Sequence, residues 1–93
     1  MNKQKKLAKE SIYLTKNQIN ALVNSYGEII RQLCEADIRD EKGESDMMRN
    51  PVQCAFLIGR GDMLRFILNA FCGIERKDID AFEDEIREGV SHD

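Results

Sequence analysis

The sequence predicts an all-α fold: an antiparallel helical hairpin of two long helices plus a short C-terminal acidic helix, assembling as a homo-oligomer. Three observations lead there. Thr15 and Gln18 form a capping box that opens a helix at Lys16. Ile19, Leu22, Val23, Tyr26, Ile29, Ile30, Leu33 and Cys34 then recur at helical spacing as one apolar stripe. Further on, Asn50-Pro51 and Gly73 bracket a second helix with start and stop signals.

Residues 1–10 read as a mobile lysine-rich lead, and residues 11–93 as a single helical domain. In the first long helix, Leu14 and Ile19 occupy the two positions of a hydrophobic staple around the capping box. Asn20, Asn24, Glu28, Arg31 and Glu35 lie opposite the apolar stripe. Gly27, at the edge of the stripe, is expected to let the helix that carries Gly59 approach closely. The charged segment RDEKGESDMMRN ends the helix near Glu41, with Met47 and Met48 tucked under the loop.

The stretch from Asn50 to Cys72 is expected to be the element around which the chain is organised, running about six turns. Val52, Phe56, Gly59, Met63, Phe66, Ile67 and Ala70 form one apolar face, and Leu57, Leu64 and Leu68 a second. A helix that is apolar on two sides must be covered on two sides, and the few remaining elements cannot do both, which predicts self-association. Leu57 and Leu68 are expected at the oligomer interface. Gly59 and Gly61 leave two structures open, a continuous helix or a break at Gly59–Asp62 with Asp62 capping a new one. A helix-turn-helix reading of the broken form fails, because its second helix is nearly all apolar and offers only Arg65 and Asn69 to a groove.

The last helix is expected from about Asp78 to Glu88, with Ile79, Phe82, Ile86 and Val90 as a narrow seam. Asp80 and Glu83 suit its first turn and Gly89 its end.

Ninety-three residues with a net charge of −3 make one small domain. Its lysines concentrate at the N-terminus and its acids at the C-terminus, a balance that argues against general nucleic-acid binding. Cys34, Cys54 and Cys72 are odd in number and lack metal-ligand spacing, so they read as buried free thiols of a cytoplasmic protein with no metal and no cofactor. Neither a membrane span nor a signal peptide is expected, since the longest uninterrupted apolar run is Cys54 to Ile58. The single histidine is His92, and no phosphate-loop or nucleophile-elbow pattern occurs, so the chain does not read as an enzyme. Arg49 beside a helix N-terminus, with Arg60 and Arg65 on the central helix, suits a phosphate or carboxylate; salt bridges to the many acids account for the same arginines.

The segment L-T-x-x-Q-I (Leu14 to Ile19), the pair Gly27-Glu28 and the run I-G-R-x-D-M (Ile58 to Met63) resemble the phage anti-CBASS family across roughly residues 13–70. The resemblance implies a homo-oligomeric, non-catalytic protein that sequesters a cyclic nucleotide immune signal. It also implies that Tyr13 matches the family's nucleotide-contacting tyrosine ahead of the first long helix. The family's lysine before the helix glycine has no counterpart here, where Asn24 or Tyr26 stands instead. On this reading Tyr13 stacks on a base while Arg60 and Arg65 pair with phosphates, and Arg49 is a further ligand-binding candidate. The other reading is a protein–protein interaction module, or an inhibitor encoded on a mobile element, that works through the acidic third helix or the Met47/Met48 loop.

Overall fold

The computed structural model describes residues 14–91, and among them every regular element is helical: α1 (Lys16–Ala36), α2 (Asp46–Arg49), α3 (Pro51–Ala70) and α4 (Arg76–Ser91). None of these helices is long and apolar enough to cross a membrane.

α1 starts where the capping box places it. The Gln18 N–H donates to Thr15 Oγ1 at 3.2 Å and the Thr15 N–H to Gln18 Oε1 at 2.9 Å. These bonds satisfy two backbone donors that the first turn leaves open. Leu14 and Ile19 pack into the same core. Along the helix one side is buried through Ile19, Val23, Tyr26, Ile29 and Ile30, while Arg31 bridges Glu28 and Glu35 in solvent. Hydrogen bonds from Arg31 and Gln32 hold the Glu28 carboxyl down at about 2.

The helix ends at Ala36, short of the predicted Glu41, because Asp40 organises a turn of its own. Asp40 Oδ1 accepts the N–H groups of Lys42 at 2.8 Å and Glu44 at 3.0 Å, and Gly43 takes the positive φ of +78° that this turn needs. Ser45 then caps the four-residue α2, which the sequence reading missed. Met47 is half-buried, but Met48 is 56% exposed and does not tuck under the loop.

α3 is continuous through Gly59 and Gly61, so there is no break at Gly59–Asp62. Pro51 occupies its first turn as expected, although the Asn50 side chain makes no cap hydrogen bond. At the other end Gly73 adopts φ +71°, and the Ile74 N–H returns to the Leu68 carbonyl at 3.0 Å as Ile74 enters the core. This is the left-handed stop, with its apolar contact, that Gly73-Ile74 announces.

α4 is longer than predicted at both ends and passes through Gly89. Of its seam, Ile79, Phe82 and Ile86 pack into the core, and Val90 is half-buried.

The chain is organised around α1, not around the 50–72 stretch. α1 contributes five of the buried apolar residues and packs against both α3 and α4, whereas α3 contributes only Cys54, Leu57 and Leu68. The glycines mark the close approaches, with partners different from those expected. A Cβ on Gly27 would stand 3.0 Å from Phe82 Cζ and 3.2 Å from Ile86 Cδ1, so Gly27 seats α4. Gly61, where a Cβ would lie 3.4 Å from Ile29 Cγ2, seats α3 on α1. A Cβ on Gly59 would meet nothing within 4 Å among the described residues.

Candidate functional site

Of the four residues that the sequence nominates for ligand binding, Tyr13 lies outside the described residues. The three arginines fall into two kinds of environment.

Arg49 is enclosed by the acidic loop before α3. It pairs with Asp40, with Glu44 at 3.3 Å and with Asp46 at 3.4 Å. The Glu44 backbone N–H, then Arg49 itself, hold the Asp40 carboxyl below its usual range. Arg49 therefore carries charge that its own chain already balances.

Arg65 is likewise occupied. It ion-pairs with Asp80 and lies 3.5 Å from Glu83 Oε2, both on α4, and donates to the Tyr26 hydroxyl of α1 at 3.4 Å. Tyr26 donates in turn to Glu83 Oε1 at 2.9 Å, and its ring stacks on Phe82 with centroids 6.5 Å apart. One cation thus ties α3, α4 and α1 together over a buried phenol. Burial is the main cause that pushes the Tyr26 hydroxyl up to about 12, with the Glu83 carboxylate adding to it and Arg65 opposing it. Asp80 and Glu83, expected as first-turn charges, serve this latch.

Arg60 differs from both. It makes no ion pair among the described residues and lies over the Phe56 ring, 5.9 Å from its centroid. An open recess between α1 and α3 joins it to Asn24, Ser25, Glu28 and Gln32. Glu28 in that recess is an anion bound to Arg31, which works against a phosphate there.

The larger feature is the face on which Phe56 stands. The buried side of α3 runs through Cys54, Leu57, Gly61, Leu64 and Leu68. Directly opposite, Val52 is 83% exposed, Phe56 62%, Met63 59% and Phe66 58%. Gly59 and Ala70 are exposed on the same line. Phe66 meets Phe71 edge-on at 5.9 Å, which carries the apolar surface around the end of the helix. A bare stripe of this kind is larger than the scattered surface hydrophobics of an ordinary helix. Leu57 and Leu68, the expected interface residues, are instead 8% and 2% exposed in the core of the protomer. The sequence showed two apolar faces at the same spacing; nothing in the spacing says which one α1 covers.

Among the described residues no cluster of three or more His, Cys, Asp or Glu is placed to hold a metal, and Cys54 and Cys72 are buried. Desolvation pushes the Cys72 thiol up, away from the thiolate that nucleophilic chemistry needs.

Comparison of the chain with family models, with curated proteins and with solved structures finds no match.

Proposed function

We propose that this protein is a small, non-catalytic binding module, and that the outward face of α3 is where it meets another protein. The observation that carries this reading is the line Val52, Phe56, Met63 and Phe66, more than half exposed on a helix whose other side already closes the core. Leaving large apolar side chains in water forgoes roughly 1.5–3 kcal/mol apiece relative to burying them, so such a stripe is best explained by a partner that covers it. The antiparallel hairpin of two long helices serves as its scaffold, with α4 latched across by Arg65.

The test is whether the stripe contributes to the protomer itself. Val52→Asp and Met63→Asp are expected to keep the helical circular dichroism and the cooperative melt of the wild type. Loss of helix in either variant would mean that the stripe belongs to the fold, and would overturn the reading.

A second reading follows from the resemblance to the anti-CBASS sponges and rests here on Arg60. This cation makes no ion pair among the described residues, stacks on Phe56, and shares a recess with the amides of Asn24 and Gln32 and the carboxylate of Glu28. It describes a phage-type counter-defence protein that sequesters a cyclic nucleotide. A thermal-shift screen against cyclic di- and trinucleotides decides it: a ligand at 100 times its dissociation constant adds about 2.7 kcal/mol of stability. The same shift in Arg60→Ala would remove Arg60 from the site.

A further inference from the structure

We infer that the partner seated on the outward face of α3 is the α3 helix of a second copy, lying in the same direction; the inference rests on the reading of that face as a protein-docking surface.

The first argument is spacing. Val52, Phe56, Gly59, Met63, Phe66 and Ala70 follow one another at steps of four, three, four, three and four. This is the 3.5-residue period of a coiled-coil seam, which fits a partner helix of the same period. The chain carries such a helix in α3, about 30 Å long.

The second is Gly59, in the middle of the seam. A Cβ there would touch nothing within 4 Å among the described residues, whose packing therefore does not require glycine. In helix propensity it is among the least favourable residues for this position. What the missing side chain provides is room for another backbone to come close.

The third is charge, and it sets the direction. Arg60 follows Gly59 and Asp62 precedes Met63, so the two charges stand on opposite edges of the seam. Neither makes an ion pair among the described residues. When two α3 helices run in the same direction, the Arg60 edge of one protomer meets the Asp62 edge of its partner. Running in opposite directions, they would set Arg60 against Arg60 and Asp62 against Asp62, a like-charge arrangement that disfavours pairing.

The area is consistent with a reversible dimer. Val52, Phe56, Met63 and Phe66 together leave roughly 500 Å² bare, against about 800 Å² per partner in a standard interface. Ile67, Ala55, Ala70 and the stem of Arg60 flank these four on the same side of α3.

The experiment is sedimentation velocity of the full chain over a concentration series, with Phe56→Asp, Arg60→Glu, Asp62→Arg and the double variant Arg60→Glu/Asp62→Arg. The expected result is a concentration-dependent wild-type dimer that Phe56→Asp abolishes. Each single charge variant is expected to weaken it about tenfold, and the double variant to return to within about threefold of wild type. A wild type that stays monomeric at every concentration overturns the second copy as partner; the docking-surface reading then stands or falls on the folding of Val52→Asp and Met63→Asp. Single variants that dimerise like the wild type overturn the same-direction arrangement. If Phe56→Asp still dimerises, the face is not the interface.

Discussion

Gly27 and Gly59 both stand inside long helices, and the structure gives alanine opposite consequences at the two sites. On propensity alone each Gly→Ala change should stabilise its helix by about 0.8–1 kcal/mol. At Gly59 nothing among the described residues opposes that gain, because the new methyl meets none of their atoms within 4 Å. At Gly27 the methyl arrives 3.0 Å from Phe82 Cζ, 3.3 Å from Phe82 Cε2 and 3.2 Å from Ile86 Cδ1, so α4 must shift. Overpacking of this kind typically costs about 1–3 kcal/mol, which leaves a net loss of about 1 kcal/mol after the propensity gain. For a domain of this size 1 kcal/mol corresponds to about 4–8 °C in melting temperature. The two variants should therefore separate by about 10 °C, Gly59→Ala above the parent and Gly27→Ala below it. Thermal and urea denaturation of both, in a Phe56→Asp background so that self-association does not enter, is the assay. A Gly27→Ala variant as stabilised as Gly59→Ala would refute the seating of α4 on α1.

Other perturbations reach the remaining parts of the account. Thr15→Ala removes the capping box and is expected to cost about 1 kcal/mol, measured by urea denaturation. Arg65→Ala leaves Glu83, Asp80 and the Tyr26 hydroxyl without their shared cation; a loss of about 1–2 kcal/mol is expected, with the helical circular dichroism retained. Tyr26 makes stability depend on alkaline pH. Its folded-state value of about 12 lies above the ordinary 10.0, so its contribution is fully present below pH 10 and lost as the pH rises from 10 through 12. Over that window the wild type should lose stability more steeply than Tyr26→Phe; equal slopes would mean that the phenol ionises freely.

How much of this could be read from the residues varies along the chain. The start of α1 was legible because the Thr15–Gln18 box is a local device, complete within four residues. The end of α3 was legible for the same reason: Gly73 and Ile74 close the helix with bonds to their own last turn. The end of α1 was not, because it is set by the Asp40 carboxylate capturing Lys42 and Glu44, a competition that helical spacing does not register. Ser45 followed by Asp46 carries the signal for α2, a cap residue with an acid in the first turn, and could have been found.

Faces and partners were harder to read than ends. Both sides of α3 are apolar at three-four spacing, and the choice between them is made by α1, whose Ile29 fits against Gly61 and has no counterpart at Gly59. The nominated arginines show the same limit. Arg49 satisfies acids of the loop just before it, Asp40, Glu44 and Asp46, through the turn that Asp40 organises, whereas Arg65 meets Asp80 and Glu83, which only the tertiary fold brings within reach. Arg60, which makes no ion pair among the described residues, keeps its charge for the surface.

The central claim is that α3 has an inner face that builds the protomer and an outer face that meets a partner, and two adjacent residues test it most directly. Leu57 is 8% exposed and Phe56 62%. Circular dichroism and sedimentation velocity of Leu57→Asp and Phe56→Asp, side by side, separate the faces. Leu57→Asp places a carboxylate in the core and is expected to unfold the chain, at a cost above about 4 kcal/mol. Phe56→Asp is expected to keep its helix, with the new acid one turn from Arg60, and to lose association. A folded, non-associating Leu57→Asp beside an unfolded Phe56→Asp would contradict the account by exchanging the two faces.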